Sequence, residues 1–229
     1  MRFLAAICLG IFLACFCMYV WYAARIEREH NRAKAMTMDE LVAECKNGDV
    51  LQFFSRLNGL DKFVWIPVSK LLTNSIWVHT AIVVEDPEAG MVVYTFSKAP
   101  SKSRKPIWRE NEQMCQTPLR KFLELNMKHE SHVMKIYRAS EKVQKTDFKA
   151  AAKNFLDHRN FMTDFCLNFS RSSKLLHCGN FVGQILEELN VFDKTAVDCP
   201  LWAYAPIQLS KRLKSEAKYS GPLLVEIRP

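Results

Sequence analysis

The segment between Phe3 and Tyr22 constrains this chain most, because it runs for about twenty residues without a charged side chain. A helix of that length crosses the hydrocarbon core of a bilayer. Trp21 and Tyr22 close the run, where aromatic residues meet the membrane interface. A cleaved signal peptide is the alternative, although its apolar region normally covers only ~7–15 residues. The sequence therefore predicts a single-pass membrane protein held by residues 3–22.

The basic residues on either side of the apolar run predict its orientation. Arg2 stands before the run, and four basic residues follow it: Arg25, Arg28, Arg32 and Lys34. The positive-inside rule then places the C-terminal part of the chain in the cytosol. Three of the eight cysteines lie in the apolar run, and the odd number left outside it is typical of reduced thiols. Asn168 begins a glycosylation sequon that matters only in a luminal domain.

The remaining length suits one globular domain. The 229 residues contain only seven glycines and no internal repeat. We divide the chain into a transmembrane anchor at 1–24, a juxtamembrane linker at 25–36 and a folded domain at 37–229.

The chain is basic, with a formal net charge of +8. Part of this charge lies in one loop that contains proline and serine: Lys98, Lys102, Arg104, Lys105 and Arg109. Such a loop is usually a solvated connection, but in a membrane-tethered protein it can contact anionic headgroups. No helix-turn-helix, zinc-finger or base-stacking pattern accompanies the charge, so we expect no nucleic-acid partner.

The stretch that begins at Cys178 has the pattern of a helix that buries one face. Its apolar residues recur at helical spacing: Phe181, Val182, Ile185, Leu186 and Leu189. Cys178 thus stands at a helix start, where unpaired amides and the positive dipole end favour a thiolate. The plainer interpretation is a small buried hydrophobic residue.

A base for such a nucleophile is available in His79, which lies in the β-branched run Val78–Val84. A turn at 86–90 and a second extended run at 91–96 follow, so the pattern predicts an antiparallel hairpin. A histidine on a strand facing a cysteine at a helix start is the minimal arrangement of a thiol hydrolase. The plainer interpretation here is a core histidine.

The order of elements indicates an α+β domain, with an antiparallel sheet of four to six strands packed on helices. That order resembles the circularly permuted NlpC-type papain-like proteins, which include YiiX-like, lecithin-retinol-acyltransferase-like and large-DNA-virus members. The resemblance covers residues 46–227 and rests on these stretches: Gly48–Leu51, Val78–Val84, Thr117–Leu119, Phe122–Leu123, Ile136–Arg138, Cys178 with its helix, and Pro206–Leu209.

Members of this family normally carry a third polar residue on the strand after the histidine strand. Here that strand offers Tyr94 or Thr95. If Glu85 pairs with Met91 across the turn, Thr95 lies on the face of His79, and a shift of one residue substitutes Tyr94. Either hydroxyl can orient an imidazole, but neither stabilises an imidazolium as a carboxylate would.

The resemblance implies a hydrolase or acyltransferase in which Cys178 attacks an acyl carbon and His79 transfers the proton. Membrane tethering favours an acyl-lipid substrate over a peptide. The alternative is a membrane-anchored binding or structural protein that keeps the fold without turnover, a class that includes virion-associated proteins. We expect no cofactor and no metal, because the histidines at 129 and 132 and the cysteines at 166, 178 and 199 lack zinc-ligand spacing.

Overall fold

A computed structural model describes residues 2–53, 77, 79–96, 105–106, 114–129, 132–157, 178–193 and 206–228. These residues form seven helices and eight strands. The helices are α1 (Arg2–His30), α2 (Met38–Glu44), α3 (Leu119–His129), α4 (Glu141–Gln144), α5 (Phe148–Asp157), α6 (Cys178–Glu188) and α7 (Pro206–Ser215). The strands are β1 (Lys34–Thr37), β2 (Val50–Phe53), β3 (His79–Asp86), β4 (Gly90–Phe96), β5 (Lys105–Pro106), β6 (Met114–Pro118), β7 (Val133–Ala139) and β8 (Tyr219–Arg228).

All eight strands belong to one sheet in the order β1-β8-β7-β2-β3-β4-β6-β5. The pairing is antiparallel except between β1 and β8, which run parallel. The predicted α+β class is confirmed, but the expected four to six strands are too few. The additional short strands β1, β5 and β6 extend the sheet at its two ends.

The sheet is covered on both faces, so the domain has two apolar cores. Helices α2 and α3 pack on what we call the His79 face, which includes Leu51, Phe53, Ala81, Val83 and Val93. Helices α5, α6 and α7 pack on what we call the Cys178 face, which includes Val50, Ile82, Val84, Tyr94 and Tyr137. Because successive strand residues point to opposite faces, these two sets alternate along β2, β3 and β4.

A buried carboxylate joins the start of β2 to the end of β7. Asp49 accepts hydrogen bonds from the backbone amides of Ala139 at 2.9 Å and Lys46 at 3.1 Å. Its other contact is the Arg138 guanidinium at 2.7 Å, which also reaches Glu44 at 2.9 Å. Burial raises the pKa of Asp49, while these hydrogen bonds and the charge of Arg138 oppose that rise.

Gly48, the residue before Asp49, has a backbone conformation that favours glycine. Its φ is +84°, and a Cβ there would lie 2.9 Å from the ring of Phe148. The Gly48 amide donates to the Val83 carbonyl at 2.8 Å, and its own carbonyl accepts from the Tyr219 hydroxyl at 3.0 Å. The Gly48–Asp49 pair therefore fixes how β2 enters the sheet.

The N-terminal helix is long and apolar enough to cross a membrane. Over Leu9–His30 its best window has a mean hydropathy of 1.7, and none of that window is buried against the rest of the chain. The predicted juxtamembrane linker at 25–36 contains the end of α1 and most of β1. The N-terminal helix and the sheet are therefore joined by regular structure through most of this segment.

The last turns of α1 contact the domain. Ile26 packs with Ala33, Trp77, Val133 and Leu224 in a small apolar cluster, and His30 Nδ1 lies 3.5 Å from Glu226 Oε1. The helix residues on this side are half-buried, whereas the neighbouring Glu27 and Arg28 are exposed.

Candidate functional site

The histidine half of the predicted site is assembled on β3 and β4. Glu85 pairs with Met91, and Ala81 therefore pairs with Thr95. This is the register that places Thr95 on the face of His79, so that part of the prediction is confirmed. The Thr95 hydroxyl oxygen lies 2.8 Å from His79 Nε2.

The surroundings of Thr95 define which ring nitrogen of His79 carries the proton. The buried Thr95 hydroxyl also donates to the Thr80 carbonyl at 3.3 Å. A hydroxyl has one proton to donate, so with that bond formed its oxygen accepts from Nε2–H of His79. This arrangement favours the neutral tautomer with its lone pair on Nδ1, and a lone pair is what a general base uses to accept a proton.

Two phenylalanines border His79 on its own face of the sheet. The imidazole centroid lies 6.5 Å from the ring centroids of both Phe53 and Phe122. These phenylalanines contact each other edge to face at 5.5 Å. The imidazole is half-buried, with apolar rings beside it and the Thr95 hydroxyl on Nε2.

Tyr94, the other candidate third residue, points to the Cys178 face. It is fully buried in the core that includes Ile82 and Val84. Burial raises the pKa of its phenol, and the nearby charges of Asp86 and Asp147 raise it further. Between the two candidates, the structure brings Thr95 and not Tyr94 to His79.

Cys178 is the first residue of α6, as the helical pattern predicts. The apolar side of this helix is buried on the Cys178 face: Phe181, Val182, Ile185 and Leu186. The thiol belongs to the same core and is 9% exposed. Cys178 and His79 thus pack on opposite faces of the sheet, and the catalytic role of the pair stays a prediction.

The Cys178 face also holds polar groups that were not predicted from the sequence. Gln52 pairs with Thr80 on neighbouring strands, and both side chains are buried. Gln52 Oε1 accepts from the Ser210 hydroxyl of α7 at 2.7 Å. The sequence signal for this polar contact is a polar residue within an otherwise apolar run: Gln52 in β2 and Thr80 in β3.

Several predicted features lie outside the described residues. They are Asn168 of the sequon, the side chains of the basic loop (Lys98, Lys102, Arg104, Lys105 and Arg109), and Cys166 and Cys199. Among the side chains that the structure describes, no group of three or more His, Cys, Asp or Glu residues is placed to hold a metal ion.

Comparison with known proteins gives a distant structural likeness. No protein-family model matches the chain, and no curated protein matches it in sequence. Among solved structures, the fold is similar to the metalloprotein yiiX from Escherichia coli O157:H7, described as DUF1105, with 17% sequence identity. The match covers 80% of this chain and 88% of that one, with a TM-score of 0.38. A likeness of this degree establishes neither a family nor an activity.

Proposed function

We propose that the protein is a membrane-anchored cysteine hydrolase or acyltransferase with a permuted papain-like domain. In this proposal Cys178 is the nucleophile, His79 is the general base and Thr95 is the third residue. The observation that carries it is the 2.8 Å contact between the Thr95 hydroxyl and His79 Nε2. A histidine base whose Nε2 is hydrogen-bonded to an orienting group supplies two members of a nucleophile–base–orienter triad.

The chemistry proposed for these residues is acyl transfer through a thioester. Nδ1 of His79 takes the thiol proton, and the Cys178 sulfur forms a bond to the acyl carbon of an ester, amide or peptide. The bond to the leaving group breaks, and that group departs with the proton from His79. Water or an acceptor then attacks the thioester and restores the thiol. The Cys178 amide at the start of α6 is a donor suited to the oxyanion.

This mechanism places one demand on the geometry. The Cys178 sulfur has to come within about 4 Å of Nδ1. His79 is the first residue of β3, and Cys178 is the first residue of a helix that packs on the other face of the sheet. Contact between them therefore has to be made around the end of β3 and not through the sheet.

The second candidate function is a membrane-anchored binding or structural protein without turnover. The packing of Cys178 and His79 on opposite faces favours it. A neutral hydroxyl at Thr95 favours it too, because a neutral partner stabilises an imidazolium less than a carboxylate does.

Both candidates place the domain at a membrane, and we propose that it faces the cytosol. The supporting observation is the set of basic residues that follows the apolar run, three of them within or just beyond the last turn of α1: Arg28, Arg32 and Lys34. Digestion by protease added outside sealed microsomes should therefore remove the domain, and Asn168 should remain unglycosylated. Protection of the domain, or a mass shift removed by an endoglycosidase, contradicts this orientation.

A thiol-reactive probe separates the two functions. If the triad operates, Cys178 reacts at neutral pH, and His79→Ala slows that reaction by about tenfold or more. The variant His132→Ala is the matched control and should leave the rate unchanged. Cys45 is an internal reference, because burial raises its pKa to about 12 and keeps it as an inert thiol. An inert Cys178 in the wild-type protein favours the binding function.

The substrate class is tested by trapping the acyl-enzyme. Incubation with phospholipid vesicles followed by acid quenching should leave an acyl group on Cys178 in the mass spectrum of the wild-type protein. The variant Cys178→Ser serves as the control. Acylation from a peptide pool but not from lipid replaces the lipid substrate with a peptide.

A further inference from the structure

The last turns of α1 bring one part of the domain close to the bilayer. The charge-free run ends at Tyr22, and Ile26 follows four residues later. At 1.5 Å per residue, Ile26 lies roughly 6 Å further along the helix axis. The headgroup layer on each side of a bilayer is about 5–8 Å thick. Residues that contact Ile26 therefore lie at or beside the headgroup layer, and tilting of α1 only brings them closer.

Ile26 packs against a cluster formed by Trp77 and by Val133 of β7, and Leu224 of β8 packs against the same cluster. The cluster includes Trp77 and Val133, which are buried, and Leu224, which is half-buried. The helix side that faces the cluster is continuous, since Arg25, Ile26, Glu29 and His30 are all half-buried. The helix therefore meets the domain through a packed contact and not through a single side chain.

A lysine of the sheet lies beside this contact. Lys135 Nζ lies 4.2 Å from the centroid of the Trp77 ring, the geometry of a cation–π contact. The other charges that act on it are those of Arg25 and Glu29 of α1 and Lys214 of α7. Lys135 and these three groups together are three cations and one carboxylate, and an anion would offset their net positive charge.

We propose that Lys135 and Arg25 bind the phosphate of an anionic lipid headgroup in the membrane that α1 spans. Trp77 contacts the ammonium group of Lys135 from one side. A phosphate offers the acceptor oxygens that an ammonium and a guanidinium require, and a bilayer supplies it at the depth of Ile26. Burial lowers the pKa of Lys135 to about 8 in the protein alone, and a bound phosphate restores its full charge. This site rests on the anchoring part of the proposed function and not on the thiol chemistry.

Lysine modification by an amine-reactive reagent tests the site on the full chain reconstituted in vesicles. Vesicles of zwitterionic lipid alone are compared with vesicles that also contain a phosphoglycerol lipid, and modification is quantified by mass spectrometry. The anionic lipid should slow modification of Lys135 by about fivefold. Lys153, an exposed lysine of α5, is the reference and should change little. Equal rates for Lys135 in both vesicles, or an equal decrease at Lys153, overturn the proposal.

Two further arms identify the source of the effect. The variant Arg25→Gln should abolish most of the protection at Lys135, whereas Arg120→Gln on α3 should preserve it. Protection that survives Arg25→Gln overturns the site.

Soluble glycerol phosphate added to zwitterionic vesicles should not protect Lys135. If it does protect Lys135, the site binds free phosphate and not lipid. Extraction of the vesicles at alkaline pH distinguishes failure of the lipid site from failure of the anchor. Release of the chain at alkaline pH refutes the anchor itself.

Discussion

The hydroxyl of Thr95 lies 2.8 Å from Nε2 of His79, on the strand that follows the histidine strand. The two residues are not directly opposite each other, since Thr95 pairs with Ala81. They meet diagonally on one face of the hairpin, where side chains on adjacent strands come within reach. This contact fixes the ring of His79 whether or not the protein turns over a substrate.

Removing the Thr95 hydroxyl should weaken His79 without unfolding the hairpin. For Thr95→Val we expect Cys178 alkylation to slow by roughly two- to tenfold, the equivalent of one neutral hydrogen bond. Tyr94→Phe is the matched control, because Tyr94 points to the other face and should leave the rate unchanged. Alkylation rates at neutral pH check this, and equal rates in all three proteins mean that Thr95 does not orient a catalytic base.

Truncating Asp49 should destabilise the domain strongly. Asp49→Ala leaves the Arg138 guanidinium without its closest carboxylate and deprives two backbone amides of their acceptor. We expect a loss of about 3 kcal/mol in the free energy of unfolding, as for a broken buried ion pair. Urea denaturation measures the loss. The exposed pair Arg120–Asp39 is the reference, and Asp39→Ala should change the midpoint little.

Two glycines with positive φ should respond differently to alanine. Gly48 lies two residues before β2, and Gly90 is the first residue of β4. Gly48→Ala places a methyl group 2.9 Å from the buried Phe148 ring and should cost about 3 kcal/mol in unfolding free energy. Gly90→Ala carries only the backbone cost of about 1 kcal/mol, since among the described residues nothing beyond its chain neighbours lies within 4 Å of a Cβ placed there. Equal losses in urea denaturation would show that Phe148 moves aside freely.

Asp86 should make stability depend on pH on the acid side. Its carboxylate accepts from Lys149 at 2.9 Å and from the Glu88 and Ala89 amides, and these bonds hold its pKa below the ordinary value. The unfolded chain therefore binds more protons at this group near pH 4. The stabilisation is complete above the unfolded pKa and is lost as pH falls through the lower folded pKa. In Asp86→Asn this part of the pH dependence should vanish, and in Lys149→Met it should shrink.

Urea midpoints measured between pH 2 and 6 compare these variants, and the loss of stability assigned to Asp86 should occur below about pH 4, the ordinary pKa of an aspartate. An unchanged slope in Asp86→Asn would assign the acid sensitivity to other carboxylates.

The hairpin that holds His79 could be predicted from the sequence, because β-branched residues flank a turn with proline and glycine. The sequence left two registers open across that turn, and the structure has the one that pairs Glu85 with Met91 and places His79 and Thr95 on one face. Strands β5 and β6 were not predicted. Thr117-Pro118 has the pattern of a helix start, but in the structure these residues end β6, and α3 begins at Leu119. A short strand directly followed by a helix gives no separate signal.

The face on which α6 packs could not be predicted. In β3, every residue from Thr80 to Val84 is buried, so no alternation of polar and apolar residues distinguishes the two faces. A strand buried on both sides accepts a helix on either face. The hypothesis that Cys178 faces His79 therefore came from the resemblance and not from the pattern of the strand.

Strand β1 makes the junction between the N-terminal helix and the domain part of the sheet itself. Its four residues pair in parallel with Val225–Arg228, and Met36 is buried in the core of the His79 face. Proteolytic shedding of the domain by a cut after residue 37 would consequently strip one strand and expose the backbone of β8. An uncovered edge of this kind invites pairing with a second chain. A released form that keeps β1 should remain monodisperse, and one that begins at Met38, the first residue of α2, should self-associate.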